Sequence, residues 1–345
     1  RTMTGESSAF DFIAMPKGQA PGGPVQSSAG NWYLVIPAQV ELIEATLACA
    51  HGGWLLVPVN WHWVADEVTY VLCDTAAAAT VVDRRWIDVV VEALAAGEDG
   101  SSNRPVVRVV VDGVEPSDAT GFEGYEQVVA SGAPGEIADA ERGGPMFYTS
   151  GTTGRPKGVR SALGAVGGPP EVLTLIAHAL APAMELSTGG GTQLVCGPIY
   201  HSAQWVFAHF ALICGDTVVL QHRFDARELL ALIDEHHVTN THLVPTQMMR
   251  LIELPRTRWE AFSGASLRSI IHGAAACPPQ LKRDMIEAVG PIVTEYYGGT
   301  EGGFISVITA EEWLERPGSV GKALPSFELA LLDDRGEPVP QGQPG

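Results

Sequence analysis

The chain has 345 residues, 46% hydrophobic and only 18% charged, which is too long for one small domain and too apolar for a disordered tail. Its 21 Lys and Arg against 40 Asp and Glu leave a net charge of −19, which repels a polyanionic backbone and excludes nucleic acid as the main partner. An anionic ligand would need a local grip from backbone N–H groups, a divalent metal or a placed cation, and the lysines are only Lys17, Lys157, Lys282 and Lys322.

Residues 1–30, with their Gly, Pro and Ser clusters, read as unassigned loop. From Gln39 the apolar positions Val40, Leu42, Ile43, Leu47 and Cys49 share one helical face, and Gly52-Gly53 stops the run. WLLVPVN follows as a buried strand. The alternation repeats as helix 66–74, strand 78–83, helix 84–96 and strand 106–112. Such an order predicts a parallel sheet covered on both faces.

A second series begins after Gly190: strand 192–199, helix 202–214, strand 217–220 and helix 226–238, the last opened by the capping pair Asp225 and Glu228. Strand 241–244, a helix after Pro245, strand 267–272, a helix after Pro278-Pro279 and strand 292–297 complete it. Two α/β layers thus share one chain. Beyond Gly303 the pattern changes to short β runs, in which Asp334-Arg335-Gly336 reads as a hairpin turn.

Cys49, Cys73, Cys196, Cys214 and Cys277 are widely spaced in mostly apolar surroundings and read as reduced core thiols. No apolar stretch is long enough to cross a bilayer and no leader opens the chain, so a cytoplasmic protein without a transmembrane segment is expected. The start at Arg1 and the stop at Gly345 within a turn-rich region are those expected of a fragment.

The chemistry concentrates in MFYTSGTTGRPKGV, Met146 to Val159, a strand entering a Gly/Thr/Ser loop with one lysine. Backbone N–H groups, the hydroxyls of Thr149, Ser150, Thr152 and Thr153, and the charge of Lys157 make a phosphate-cradling composition. Pro156 before the lysine and Gly158 after it exclude a Walker loop. Metal-helix, Cys-x-x-Cys, nucleophile-turn and dinucleotide-loop patterns are all missing.

YTSGTTGRPKG resembles the signature loop of the adenylate-forming superfamily, which holds acyl-CoA synthetases, luciferases and peptide-synthetase adenylation domains. Three further segments carry the resemblance: TEYYGGTEGG resembles the family's Tyr-Gly-x-Thr-Glu motif, IIHGAAACPP its Gly-Gly-Ala-Pro strand end, and GSVGKALP the opening of its β subdomain. In GPIYHSAQWVFAHF, His201 stands where adenylation domains for amino acids carry an aspartate for the substrate ammonium. That segment is instead similar to acyl-CoA synthetases.

The resemblance implies an α/β fold, the large N-terminal domain of adenylate-forming enzymes. Its parts would be a first subdomain 31–190 with the phosphate loop, a second 191–303 with the acyl and adenine pocket, and the start of a β subdomain at 304–345. It implies ATP-dependent activation of a fatty or bulky hydrophobic carboxylic acid to acyl-AMP and thioester formation with coenzyme A, with Mg²⁺ as cofactor, and it leaves a homodimer open. ATP binding is implied for Thr149, Ser150, Gly151, Thr152, Thr153, Gly154, Lys157, Gly273, Ala274, Ala275, Glu295, Tyr296, Tyr297, Gly298 and Thr300. Within that set Lys157 and the loop face the β/γ-phosphates, Thr300 the α-phosphate and Tyr297 the adenine. Glu301 is the expected metal ligand, Lys157, Thr300 and Glu301 the expected catalytic residues, and His201, Trp205 and Gly298 the expected acyl contacts.

A luciferase-like or other adenylate-forming enzyme and a non-catalytic nucleotide-binding homologue are the alternatives. Family members continue to a ribose-binding aspartate, a hinge and a mobile C-terminal domain with a lysine, all absent from this sequence. Weak ATP binding and poor adenylation are therefore expected of these residues alone.

Overall fold

The computed structural model describes residues 2–4, 32–36, 39–96, 105–112, 121–132, 141–149, 155–160, 165–340 and 342–343. The first element is a departure from expectation: β1 (Thr2–Thr4), inside a segment that reads as loop, pairs antiparallel with a strand more than two hundred residues away. Three residues are too few for any periodic signal, and they join the sheet by backbone pairing.

The next elements are β2 (Trp32–Ile36), α1 (Gln39–Gly52), β3 (Leu55–Pro58), α2 (Ala65–Thr75), β4 (Ala79–Asp83), α3 (Ile87–Ala96), β5 (Val107–Val111), β6 (Glu123–Gly124), α4 (Tyr125–Ser131) and β7 (Gly144–Pro145). They form a six-stranded sheet in the order β6-β5-β4-β2-β3-β7, every pair parallel. β3 and β4 are buried at every position, as strands covered on both faces must be. A two-stranded ribbon follows, β8 (Phe147–Thr149) antiparallel to β9 (Lys157–Val159), and then α5 (Glu171–Leu180).

The second series comprises β10 (Thr192–Val195), α6 (Ser202–Ile213), β11 (Thr217–Leu220), α7 (Ala226–Glu235), β12 (Asn240–Leu243), α8 (Pro245–Ile252), α9 (Arg256–Ala261), β13 (Ser269–His272), α10 (Pro279–Val289), β14 (Val293–Gly299), β15 (Gly303–Ile308), α11 (Ala310–Glu315) and β16 (Lys322–Ala323). Its eight-stranded sheet runs β1-β11-β10-β12-β13-β14-β15-β16, parallel from β11 to β14 and antiparallel at both edges. The Asp225 carboxylate caps α7 by accepting from the N–H groups of Arg227 and Glu228. Glu228 does not close a capping box; its carboxylate accepts from Gln221 instead. α11, capped by Thr309, interrupts the expected β runs.

α6 joins the two halves. From Gln204 to Leu212 every side chain is buried, because one face meets its own sheet and the other meets α1. Trp205 Nε1 donates to Thr46 Oγ1 at 3.0 Å, and one apolar cluster runs from Leu42, Trp54 and Leu56 through Phe207 and Phe210 to Ile271 and Tyr296. Each such side chain stabilises the join by about 1.5–3 kcal/mol. The orientation of one sheet on the other is therefore set by packing.

In the eight-stranded sheet the chain order reverses at β10, with β11 on one side and β12, β13 and β14 on the other. Reversal of this kind opens a crevice beyond the carboxyl ends of the strands.

Candidate active site

The crevice at that reversal is a cleft of about 740 Å³, a volume that holds a nucleotide-sized ligand. The end of β10 supplies Gly197 and Pro198, the end of β12 His242 and Val244, and the end of β13 Ala274. Thr300 comes from the β14–β15 turn and Pro58 and Asn60 from the end of β3, so both sheets close on it. Buried amides brace its floor: Gln204 Nε2 donates to the His242 carbonyl at 3.3 Å, and Gln247 Nε2 to the Cys196 carbonyl at 3.1 Å. Strand-end carbonyls that leave the ladder at the crevice thereby keep partners.

Thr149 lines the cleft and pairs in register with Lys157 across the β8–β9 ribbon, so these two residues close the base of the Gly/Thr loop. Lys157 is exposed there. Ser150, Gly151, Thr152, Thr153 and Gly154 lie outside the described residues. Arg155, which sequence reasoning passed over, lines the cleft with its guanidinium 5.3 Å above the Tyr70 ring.

Opposite this ribbon, Thr300 Oγ1 and Ser202 Oγ lie 3.1 Å apart, tying the β14–β15 turn to the first turn of α6. His201 occupies the N-cap of α6 without capping it by its side chain, lines the cleft and packs on Tyr200 at 4.5 Å. Burial holds this imidazole below the usual histidine range, so it is neutral at pH 7. The uncapped helix start leaves first-turn N–H groups and the positive end of the dipole toward the cleft, which favours an anion.

Behind Thr300 and Ala274 a second chamber of about 190 Å³ opens, walled by Phe147, Trp205, Tyr296 and Phe304, with Gly298 at its edge. Gly298 has a structural reason for its residue type: a Cβ there would sit 2.0 Å from the Gly303 carbonyl oxygen across the β14–β15 bulge. Ala274 adopts φ 66°, a left-handed conformation costly for a residue with a Cβ, at the point where cleft and chamber meet.

The tyrosine motif divides by strand alternation. Tyr297 is exposed at the end of β14, whereas Tyr296 is buried with its hydroxyl 3.3 Å from His242 Nε2. Glu295 is engaged away from the cleft-lining residues. Its side chain, expected among the nucleotide contacts, points under α10, where Oε2 accepts from Lys282 Nζ at 2.7 Å and lies 3.5 Å from His272 Nε2. A carboxylate buried to this degree needs a cation, and α10 provides it. Gly273 packs beneath the Tyr296 ring and Ala275 is exposed; neither lines the cleft. Glu301 is exposed beside Thr300. Among the described residues no group of three or more His, Cys, Asp and Glu could hold a metal, so any magnesium site would rest on one carboxylate with phosphate and water oxygens. Glu301 fits that donor set.

The residues that sequence reasoning missed, Asn60, Gln204, His242 and Arg155 among them, sit at strand ends or helix starts far apart in the chain. The reversal in strand order is the signal that could have found His242, whereas Arg155 and Gln204 lie inside segments already singled out as motifs.

A family model described as "AMP-binding enzyme" matches residues 32–345. An indoleacetate–CoA ligase of Aromatoleum aromaticum is 30% identical over 319 residues, 88% of this chain and 57% of the relative. A medium/long-chain-fatty-acid–CoA ligase of Mycobacterium tuberculosis is 29% identical over 338 residues, 95% of this chain and 55% of the relative. The structure of an amide bond synthetase from Marinactinospora thermotolerans superposes with a TM-score of 0.75 at 22% identity, covering 91% of this chain and 60% of that one. The chain thus spans little more than half the length of the curated relatives it matches.

Proposed function

Because the chain belongs to the AMP-binding enzyme family, we propose that the whole protein activates a hydrophobic carboxylic acid with ATP and transfers the acyl group to coenzyme A. The observation that carries this reading is that Thr149, His201, Ala274 and Thr300, from four separate motifs, line one cleft. The curated relatives, ligases for indoleacetate and for fatty acids by their names, support acid–CoA ligation without selecting the acid.

In the first step a carboxylate oxygen attacks the α-phosphorus of ATP, the bond to the β-phosphate oxygen breaks, and pyrophosphate leaves. In the second the sulfur of coenzyme A attacks the acyl carbon, its proton is lost to solvent, and AMP departs. No protein nucleophile takes part, so the residues act by alignment and by offsetting negative charge. The loop closed by Thr149 and Lys157 holds the β- and γ-phosphates, with Arg155 as a second cation. Thr300, oriented by Ser202, donates to the α-phosphate, and the start of α6 adds its dipole. Tyr297 offers an exposed ring to adenine, and His201, neutral and exposed at the cleft, borders the acid. Magnesium would be held by Glu301 together with phosphate oxygens and would supply charge neutralisation.

In an anionic protein this cleft offers an anionic ligand Arg155 and a helix start, with Lys157 exposed on the adjoining ribbon. The test is pyrophosphate release by the complete protein across a panel of carboxylic acids, followed by CoA-dependent AMP formation. Release that requires both ATP and an acid supports the proposal; nucleotide binding with no acid-dependent release overturns it.

A further inference from the structure

The 190 Å³ chamber has a floor that cannot recede. Trp205 is pinned by its hydrogen bond to Thr46 and meets Phe147 edge-on at 5.6 Å. Tyr296 is fixed from three sides. Its ring meets Phe304 edge-on at 4.8 Å, and its hydroxyl reaches His242 Nε2, whose Nδ1 lies 3.0 Å from Gln204 Nε2. On the third side it presses so closely on β13 that a Cβ at Gly273 would sit 2.5 Å from Tyr296 Cζ. The ring is therefore braced on the sides away from the chamber.

A cavity of about 150 Å³ accepts one benzene ring. The chamber is larger by little more than a methylene or two, far short of a long alkyl chain. The reacting carboxylate must stay at the neck, where Thr300 and Ala274 join chamber to cleft, so the distance from neck to floor bounds the acyl body. Resting on the functional reading above, we propose that Tyr296 sets the depth of the acyl site and restricts the protein to compact acids, one ring or a short branched chain, against long straight-chain fatty acids. The aromatic walls favour a flat, apolar body.

The experiment is acid-dependent ATP/pyrophosphate exchange by the complete protein with phenylacetate, hexanoate, dodecanoate and hexadecanoate. The wild type is expected to favour phenylacetate over hexadecanoate by at least about 10-fold in kcat/KM, the discrimination available to a close-fitting apolar pocket. Tyr296→Ala is expected to shrink that ratio about 10-fold, mainly through a lower KM for the long acids, while Tyr296→Phe, which keeps the ring, keeps the ranking. Phe304→Ala, on a half-buried wall of the same chamber, carries the test if Tyr296→Ala does not fold. A wild type that prefers hexadecanoate, or enlarged variants whose ranking matches wild type, overturns the proposal and leaves acid activation standing. Absence of exchange with every acid overturns the functional reading and the proposal with it.

Discussion

Lys282→Met removes the cation from a buried charge cluster and yields a magnitude that can be worked from the geometry. Lys282 is fully buried, its Nζ 2.7 Å from Glu295 Oε2 and 5.0 Å over the Trp313 ring, and Glu295 retains only 11% side-chain exposure. Burial lowers the lysine pKa, and the Glu295 carboxylate offsets only part of that, so the ion pair stands against a desolvation cost. Taking away one partner strands the other charge beside a neutral His272, at a cost of about 3–5 kcal/mol. Replacing both, as Lys282→Met with Glu295→Leu, strands nothing and is expected to cost less than the single change. Urea unfolding with linear extrapolation on wild type, both single variants and the pair reads the cycle. A loss under about 1 kcal/mol for Lys282→Met, or a double variant as unstable as the sum of the singles, refutes the reasoning.

Burial pushes His209 down to about 4 and His242 and His272 down to about 3, so all three stay neutral when folded. Unfolded histidines bind protons below about 6.5, so the unfolded state gains protons first as pH falls, and the stability present above 6.5 is lost on the way to about 4 for His209 and about 3 for His242 and His272. Each histidine is expected to cost about 2 kcal/mol at pH 5, and equal urea midpoints at pH 7 and pH 5 contradict this. Lys157→Ala is expected to raise the KM for ATP by about 10-fold or more through loss of a charge-assisted contact, and steady-state kinetics with varied ATP checks it; an unchanged KM removes Lys157 from the phosphates. Glu301→Gln is expected to raise the magnesium concentration needed for half-maximal exchange, and identical metal titrations of the two forms remove Glu301 from the site.

Much of the frame was legible because buried strands and amphipathic helices leave periodic traces. LLVP and ATVVD are apolar or small along their length because helices cover both faces of their sheet, and Asp225 marks the start of α7 because its carboxylate takes two orphan N–H groups. β1 left no trace, since an edge pairing of three residues depends on a partner strand that local pattern does not name. At the site, Thr149, His201, Ala274 and Thr300 stood in recognisable motifs, whereas Asn60, His242 and Gln204 became neighbours only through the order of strands in the sheet. The two tyrosines show what the motif alone does not distinguish. Alternation puts Tyr296 and Tyr297 on opposite faces of β14, but Glu295 shares the Tyr297 face and is buried against Lys282, so the exposure of Tyr297 comes from its place at the strand end.

The central claim is that a nucleotide binds between the loop closed by Thr149 and Lys157 and the turn carrying Thr300. A crystal structure with a non-hydrolysable ATP analogue tests it most directly. The account predicts the α-phosphate within hydrogen-bond reach of Thr300 Oγ1, the terminal phosphates over the Gly/Thr loop and the base beside Tyr297. An analogue seated anywhere outside this cleft contradicts it.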